Sequence, residues 1–195
     1  MIATQSPPAA RQRDVARILE HAGPHASRRK RPALAVLVGL PASGKSRIAE
    51  ELRSRTGAAV LESDELRRLL FTRRTYSPQE SQRLFTAIHA AIEQLLAARV
   101  SVILDATNLA EAERAPLHEI AERQGARLVL AEVIAPERIV CRRLARRDTA
   151  GVSRSEADLR GTSACAPALK RSRSRTIWWT PRRRSTPRWP PSQRR

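Results

Sequence analysis

The sequence predicts an α/β fold, a parallel sheet covered on both faces by helices, from three observations. Short apolar runs alternate with stretches of helical period from residue 33 to about residue 147. A glycine-bearing turn joins the first apolar run to the first of those helices. The chain has 195 residues, which at roughly 100 to 200 residues per domain allows one hydrophobic core with tails. Strand–helix alternation of this kind is built with right-handed crossovers between parallel strands.

The elements follow in order. The run ALAVLV, between Pro32 and Gly39, has the unbroken apolarity of a strand buried on both faces. Ile48, Ala49 and Leu52 then fall at helical spacing, and Gly57 ends that helix as a C-terminal cap. Residues 58–61 form a short strand and residues 64–71 a short helix. Between Pro78 and Arg99, Leu84, Phe85, Ile88, Ala91, Ile92, Leu95 and Leu96 recur three and four apart, which makes an amphipathic helix. Residues 100–104 return to a β-branched run that stops at Asp105. A helix over 112–124 ends at Gly125, with Pro116 in its first turn or kinking it. Residues 127–134 are the next strand, and Pro136 opens a helix to about Arg147.

Charge divides the chain into three parts. Lys plus Arg number 37 against 19 Asp plus Glu, a net charge of +18. Residues 1–32 hold 7 basic and 2 acidic residues, residues 33–160 hold 20 and 17, and residues 161–195 hold 10 and none. The middle is therefore an ordinary balanced globular surface, and the basicity belongs to the ends. Residues 1–32 read as a flexible basic arm with at most a short helix over 9–22. Residues 161–195, with five prolines and all three tryptophans, read as a low-complexity tail, disordered or the product of a shifted coding frame.

Several function classes fall away. Cys141 and Cys165 make no disulfide framework and no metal-ligand spacing, which fits a reducing, cytoplasmic setting. The longest apolar run is about a third of what a membrane-spanning helix needs, and the N-terminus lacks the apolar stretch of a secretory signal. No internal repeat and no Ser/His/Asp set is discernible. His89 and His118 read as surface or packing groups, Cys141 as a small apolar filler of its helix, and Tyr76 as a loop residue.

The stretch Gly39-Leu40-Pro41-Ala42-Ser43-Gly44-Lys45-Ser46 fits GxxxxGK[ST] at every fixed position and lies between a strand and a helix. Glycines let successive N–H groups converge on phosphate oxygens, and the helix N-terminus adds partial positive charge. Lys45 would reach the β- and γ-phosphates, and the Ser46 hydroxyl is a natural ligand for the accompanying Mg²⁺.

Strand ends in such a sheet meet at the edge that carries this loop, so acids there share its crevice. Asp64 could accept the proton of an attacking hydroxyl, with Arg67 one turn on orienting substrate or phosphate; the competing reading is a helix cap with solvated charges. Asp105, closing VILD, is placed to hold Mg²⁺ directly or through water, beside Thr107 and Asn108. In the helix from Pro136, Arg142/Arg146 and Arg143/Arg147 are pairs four apart. Like charges so spaced are unfavourable unless an anion neutralises them, which favours a lid over the γ-phosphate.

The ordered combination VLVGLPASGKS, LESDELRRLLF, a long amphipathic helix, SVILDATNL and a helix running RRLARR resembles the P-loop kinases grouped with the AAA-family ATPases. Within them it is similar to the polynucleotide 5′-kinase-like and zeta-toxin-like group, over about residues 33–160. The resemblance implies a three-layer P-loop NTPase fold like that of nucleoside monophosphate kinases, with a five-stranded parallel sheet ordered 2-3-1-4-5. It also implies ATP and Mg²⁺ use and phosphoryl transfer to a hydroxyl acceptor, a nucleic-acid end, a nucleotide or a small molecule. Carried over, Lys45 and Ser46 serve nucleotide and Mg²⁺, Asp64 is the base, Arg67 orients substrate, and Arg143 and Arg147 are lid arginines. Members of the group continue past the lid with a helix and a last strand. Here the acid-free tail stands in that place, so the sheet lacks its outer strand unless residues 176–180 substitute. Two other readings are an ATP-hydrolysing regulatory ATPase and a basic nucleic-acid-binding protein without catalysis.

Overall fold

A computed structural model describes residues 8–23, 28–107, 111–136, 138–143 and 176–179. The element order is α1 (Pro8–Ala22), β1 (Ala33–Val38), α2 (Lys45–Thr56), β2 (Ala59–Glu62), α3 (Ser63–Leu70), α4 (Pro78–Ala97), β3 (Val102–Asp105), α5 (Glu111–Arg123), β4 (Arg127–Val133) and β5 (Thr176–Trp179), with residues 138–143 helical. The strands form one parallel sheet ordered β2-β3-β1-β4-β5. The expected order holds, and its outer strand is drawn from the basic tail.

Each element obeys local rules. Gly57 takes the left-handed conformation and donates to Arg53 O at 2.8 Å, which stops α2 where the cap was expected. Ser77 caps α4 by accepting from Glu80 N, with Pro78 at the first helical position. Pro116 lies inside α5, where the first turn was one of two expectations.

The sheet's two faces are covered unequally. Leu34, Val36 and Val38 of β1 point with Leu61, Val102, Leu104 and Leu130 into a large core closed by α1, α3, α4 and α5. Leu37 and Ile103 point the other way, onto Ala49, Ile48 and Leu52 of α2. The alternation along β1 explains why its sequence is apolar throughout.

The arm reading needs correction for residues 8–22. Val15 and Ile18 are buried in the large core, Leu19 and Ala22 pack against it, and Asp14, 3 % exposed, takes two bonds from Arg83 at 2.7 and 2.9 Å. Spacings of three and four residues make these positions one apolar stripe, and α3 and α4 offer the surface that the stripe covers. Cys141 is also corrected: it is exposed rather than a filler. Among the described residues no helix is long and apolar enough to cross a membrane.

Candidate phosphate-binding and acid site

The phosphate loop is shaped by backbone that glycine alone adopts readily. Gly39 has φ 151°, and a Cβ there would stand 2.5 Å from Val133 O, well inside contact distance, so the loop can leave β1 against the end of β4 only without a side chain. Gly44 has φ 109° at the N-cap of α2, aiming the first amides of that helix into the loop. Ala42 also takes a positive φ, 58°. Gly39 N donates to Thr107 O at 3.3 Å, tying the loop to the residue two beyond β3.

Around this backbone stand the polar side chains. Lys45 is buried and its Nζ donates to Gly39 O at 3.0 Å and Leu40 O at 2.9 Å, which folds the cation into the loop. Ser43 is 1 % exposed and its Oγ has no hydrogen-bond partner among the described residues. Ser46 is exposed, on the first turn of α2. Arg143, from the helical residues 138–143, donates its Nη1 to Ala42 O at 2.9 Å, and the same atom lies 3.6 Å from where a Cβ on Gly44 would be. The expected lid arginine thus reaches the loop. Arg147 and Asn108 lie outside the described residues.

The acidic half of the site comes from register. Glu62 and Asp105 are paired across β2 and β3 at the ends of both strands, so their side chains leave the same face. Asp105 is 4 % exposed, and its other neighbour in the ladder is Leu37, two residues before the loop. Burial pushes the Glu62 carboxyl above its ordinary value, and the charges of Asp105, Glu65 and Asp64 add to that rise, with Arg68 opposing. Glu62 therefore feels both expected acids, Asp105 and Asp64, the latter in the first turn of α3. Sequence reasoning left Glu62 without a role; the signal was its place as the last residue of a strand ending at the loop's edge.

Arg67 is engaged at another corner. It is 2 % exposed, its Nη1 donates to Glu80 Oε1 at 2.6 Å, its Nη2 to Ser81 Oγ at 3.2 Å, and its guanidinium lies 4.8 Å from the Tyr76 ring centroid. Tyr76 has φ 53°, rare for an aromatic residue. His89 sits half-buried on α4, where burial lowers its pKa, and His118 sits on α5.

The donors present fit the groups the resemblance implies. Positive-φ glycines, a buried hydroxyl without a partner among the described residues and a cation over the loop suit a polyphosphate. A serine hydroxyl and a buried carboxylate are hard oxygen donors that suit Mg²⁺. Among the described residues, no group of three or more His, Cys, Asp and Glu side chains is placed to hold a metal by itself, so a cation here would share its shell with phosphate and water.

Residues 34–166 match the family model described as AAA domain. No curated protein sequence matches the chain. Among solved structures, the chain is similar to a protein of the PezAT chromosomal toxin–antitoxin system of Streptococcus pneumoniae, at 13% identity over 77% of this chain and 68% of that one, with TM-score 0.62. It is also similar to the Mycobacterium tuberculosis APS kinase CysC in complex with AMPPNP and APS, at 22% identity over 79% and 91%, with TM-score 0.55. A chain of the Pnkp1/Rnl/Hen1 complex matches at 27% identity, with TM-score 0.52, over 60% of this chain and 40% of that one. The first two likenesses establish the fold.

Proposed function

We propose a function from one premise: the chain belongs to the AAA domain family of P-loop proteins. It is an ATP-dependent phosphotransferase that moves the γ-phosphate to a hydroxyl acceptor. The observation that carries this reading is the loop at residues 39–46 with Arg143 reaching over it from the far end of the domain. A phosphate-binding loop alone serves hydrolases and transferases alike; a second cation arriving from another element suits charge that develops on a transferred phosphoryl group.

The roles follow from position. The amides at residues 42–46 and the Ser43 hydroxyl receive the phosphates, and Lys45 exchanges the carbonyls of Gly39 and Leu40 for phosphate oxygens. Ser46 and Asp105 would hold Mg²⁺, which would supply positive charge to neutralise the phosphates. The acceptor oxygen attacks the γ-phosphorus, the bond from that phosphorus to the ADP oxygen breaks, and the hydroxyl proton passes to Asp64. Arg67, locked to Glu80, acts by fixing where α3 presents Asp64 rather than by touching the acceptor.

The test is transfer of labelled γ-phosphate to nucleic-acid ends, nucleotides and sugar-like acceptors by the native chain and by Asp64→Ala. Loss of transfer by about 10² to 10⁴-fold with retained ATP binding supports the base role. ATP consumption indifferent to every acceptor would instead identify a hydrolysing ATPase. Calorimetry with MgATP checks the site itself: heat from the native chain and none from Lys45→Ala is expected.

A further inference from the structure

The charge of the N-terminal segment has a definite address on the fold. Arg28 bridges antiparallel to Val100, Arg29 N donates to Arg99 O at 2.8 Å, and Arg127 N donates to Pro32 O at 2.9 Å. Arg99 Nη1 donates to Lys30 O at 3.3 Å. These bonds lay residues 28–31 across the starting ends of β3, β1 and β4, at the sheet edge opposite the phosphate loop. Arg28, Arg29, Lys30, Arg31, Arg99 and Arg127 are all exposed there. None of them forms an ion pair with a described acidic residue. Residues 28–34, 97–102 and 125–131 contain no Asp or Glu at all.

Arg99 adds an independent observation. It follows the C-cap of α4 with φ 65°; its N–H donates to Leu96 O at 2.9 Å and that of Val100 to Leu95 O at 2.9 Å. That pair of bonds is the helix ending in which glycine is the favoured residue at the left-handed position. An arginine there accepts backbone strain and joins a cluster of like charge. Of the two penalties, the repulsion between like charges is the one an arriving anion offsets.

We infer that this edge is a docking surface for nucleic acid, gripping the phosphate backbone without reading base sequence. Two inter-strand spacings separate β3 from β4, roughly 10 Å, and phosphates advance roughly 3.4 Å per residue along one strand. The patch therefore spans about three phosphates. A lipid headgroup layer is the poorer match: among the residues whose side-chain exposure is described, the one exposed large apolar side chain, Ile134, lies just past the other end of β4, so no such side chain at this edge would insert. The surface is remote from residues 39–46, so it anchors a polyanion independently of ATP, whatever the chemistry at the loop.

The test uses the full chain and a fluorescent single-stranded and duplex oligonucleotide, with the dissociation constant measured over a series of NaCl concentrations. Arg29→Gln/Lys30→Gln/Arg99→Gly should weaken binding at least about tenfold at low salt. It should also lower the slope of log affinity against log salt by about two units, since each lost phosphate contact removes roughly 0.7 to 0.9. MgATP heats should be unchanged. Arg99→Gly alone separates function from folding: its melting temperature should equal or exceed the native value while affinity falls. Because the tail is also basic, Arg171→Gln/Arg173→Gln/Arg175→Gln is run beside it, and the two losses should add. The inference is overturned if the patch variant keeps native affinity and slope while the tail variant loses both. Binding to phosphatidylserine vesicles without binding to either oligonucleotide overturns it equally.

Discussion

Glu80 shows how a single buried acid can organise a corner of the molecule. It accepts from Arg67 Nη1 at 2.6 Å, from Thr75 N at 2.6 Å and from Thr75 Oγ1 at 2.7 Å. Burial alone would raise its pKa; the bonds from Arg67 and Thr75 outweigh that and hold it below the ordinary 4.5. A lowered carboxyl stabilises the fold above its unfolded value and ceases to do so as pH falls through the folded one. Glu62 and Glu132 are shifted the other way, by burial first, so what they contribute is present below 4.5 and lost as pH rises through their folded values. Denaturant titrations from about pH 3 to 7 should therefore show Glu80→Gln losing the acid-side fall in stability and Glu62→Gln losing part of the neutral-side fall. Glu80→Ala leaves Arg67 buried without its carboxylate and should cost about 3 to 5 kcal/mol. At the loop, Gly39→Ala forces a side chain onto Val133 O in a left-handed backbone; calorimetry should find MgATP binding lost even where the variant still folds.

Among the elements, α1 and the helical residues 138–143 do most to complete the domain. α1 packs on α3 and α4 through Val15 and Ile18, its Arg17 donates to Leu69 O, and His21 lies 3.3 Å from Glu65. It thereby buttresses the helix that carries Asp64. Ile18→Ala should destabilise the whole domain by about 2 to 5 kcal/mol, read as a shifted midpoint of a single cooperative melt. Were residues 8–22 a detached arm, the substitution would leave the midpoint unchanged. For the arginine over the loop, a charged hydrogen bond is at stake: Arg143→Ala should weaken ATP binding by about 1.5 to 3 kcal/mol in calorimetry and leave the melting temperature of the unliganded chain near native.

At the scale of the molecule, the sheet's edges matter. β5 pairs in parallel with β4 from Leu130↔Thr176 to Val133↔Trp179, covering a strand that would otherwise present an open ladder. A chain ending at residue 160 should self-associate, visible in light scattering as growth beyond the monomer mass, and Ile177→Pro should do so more weakly by removing one ladder donor. The strand is short, and it is supplied by a segment whose composition predicts no regular structure.

Covalent neighbours settle the turn at residues 39–46, the periodicities of α2 and α4 and the Gly57 and Gly125 helix ends. Each of these is written within a window of one element, and the chain could be read for them directly. The partners of charged residues were a different matter. Arg67 meets Glu80 13 residues on, Arg143 meets Ala42 across 101 residues, and Glu62 stands beside Asp105 only because two strands align in one register. Sign and spacing say that a charge will find a counterpart or solvent, never which. That choice, like the docking of α1 and the seating of residues 28–31 at the lower edge of the sheet, is made by long-range packing, where the free energy of a contact depends on elements that the local chain does not contain.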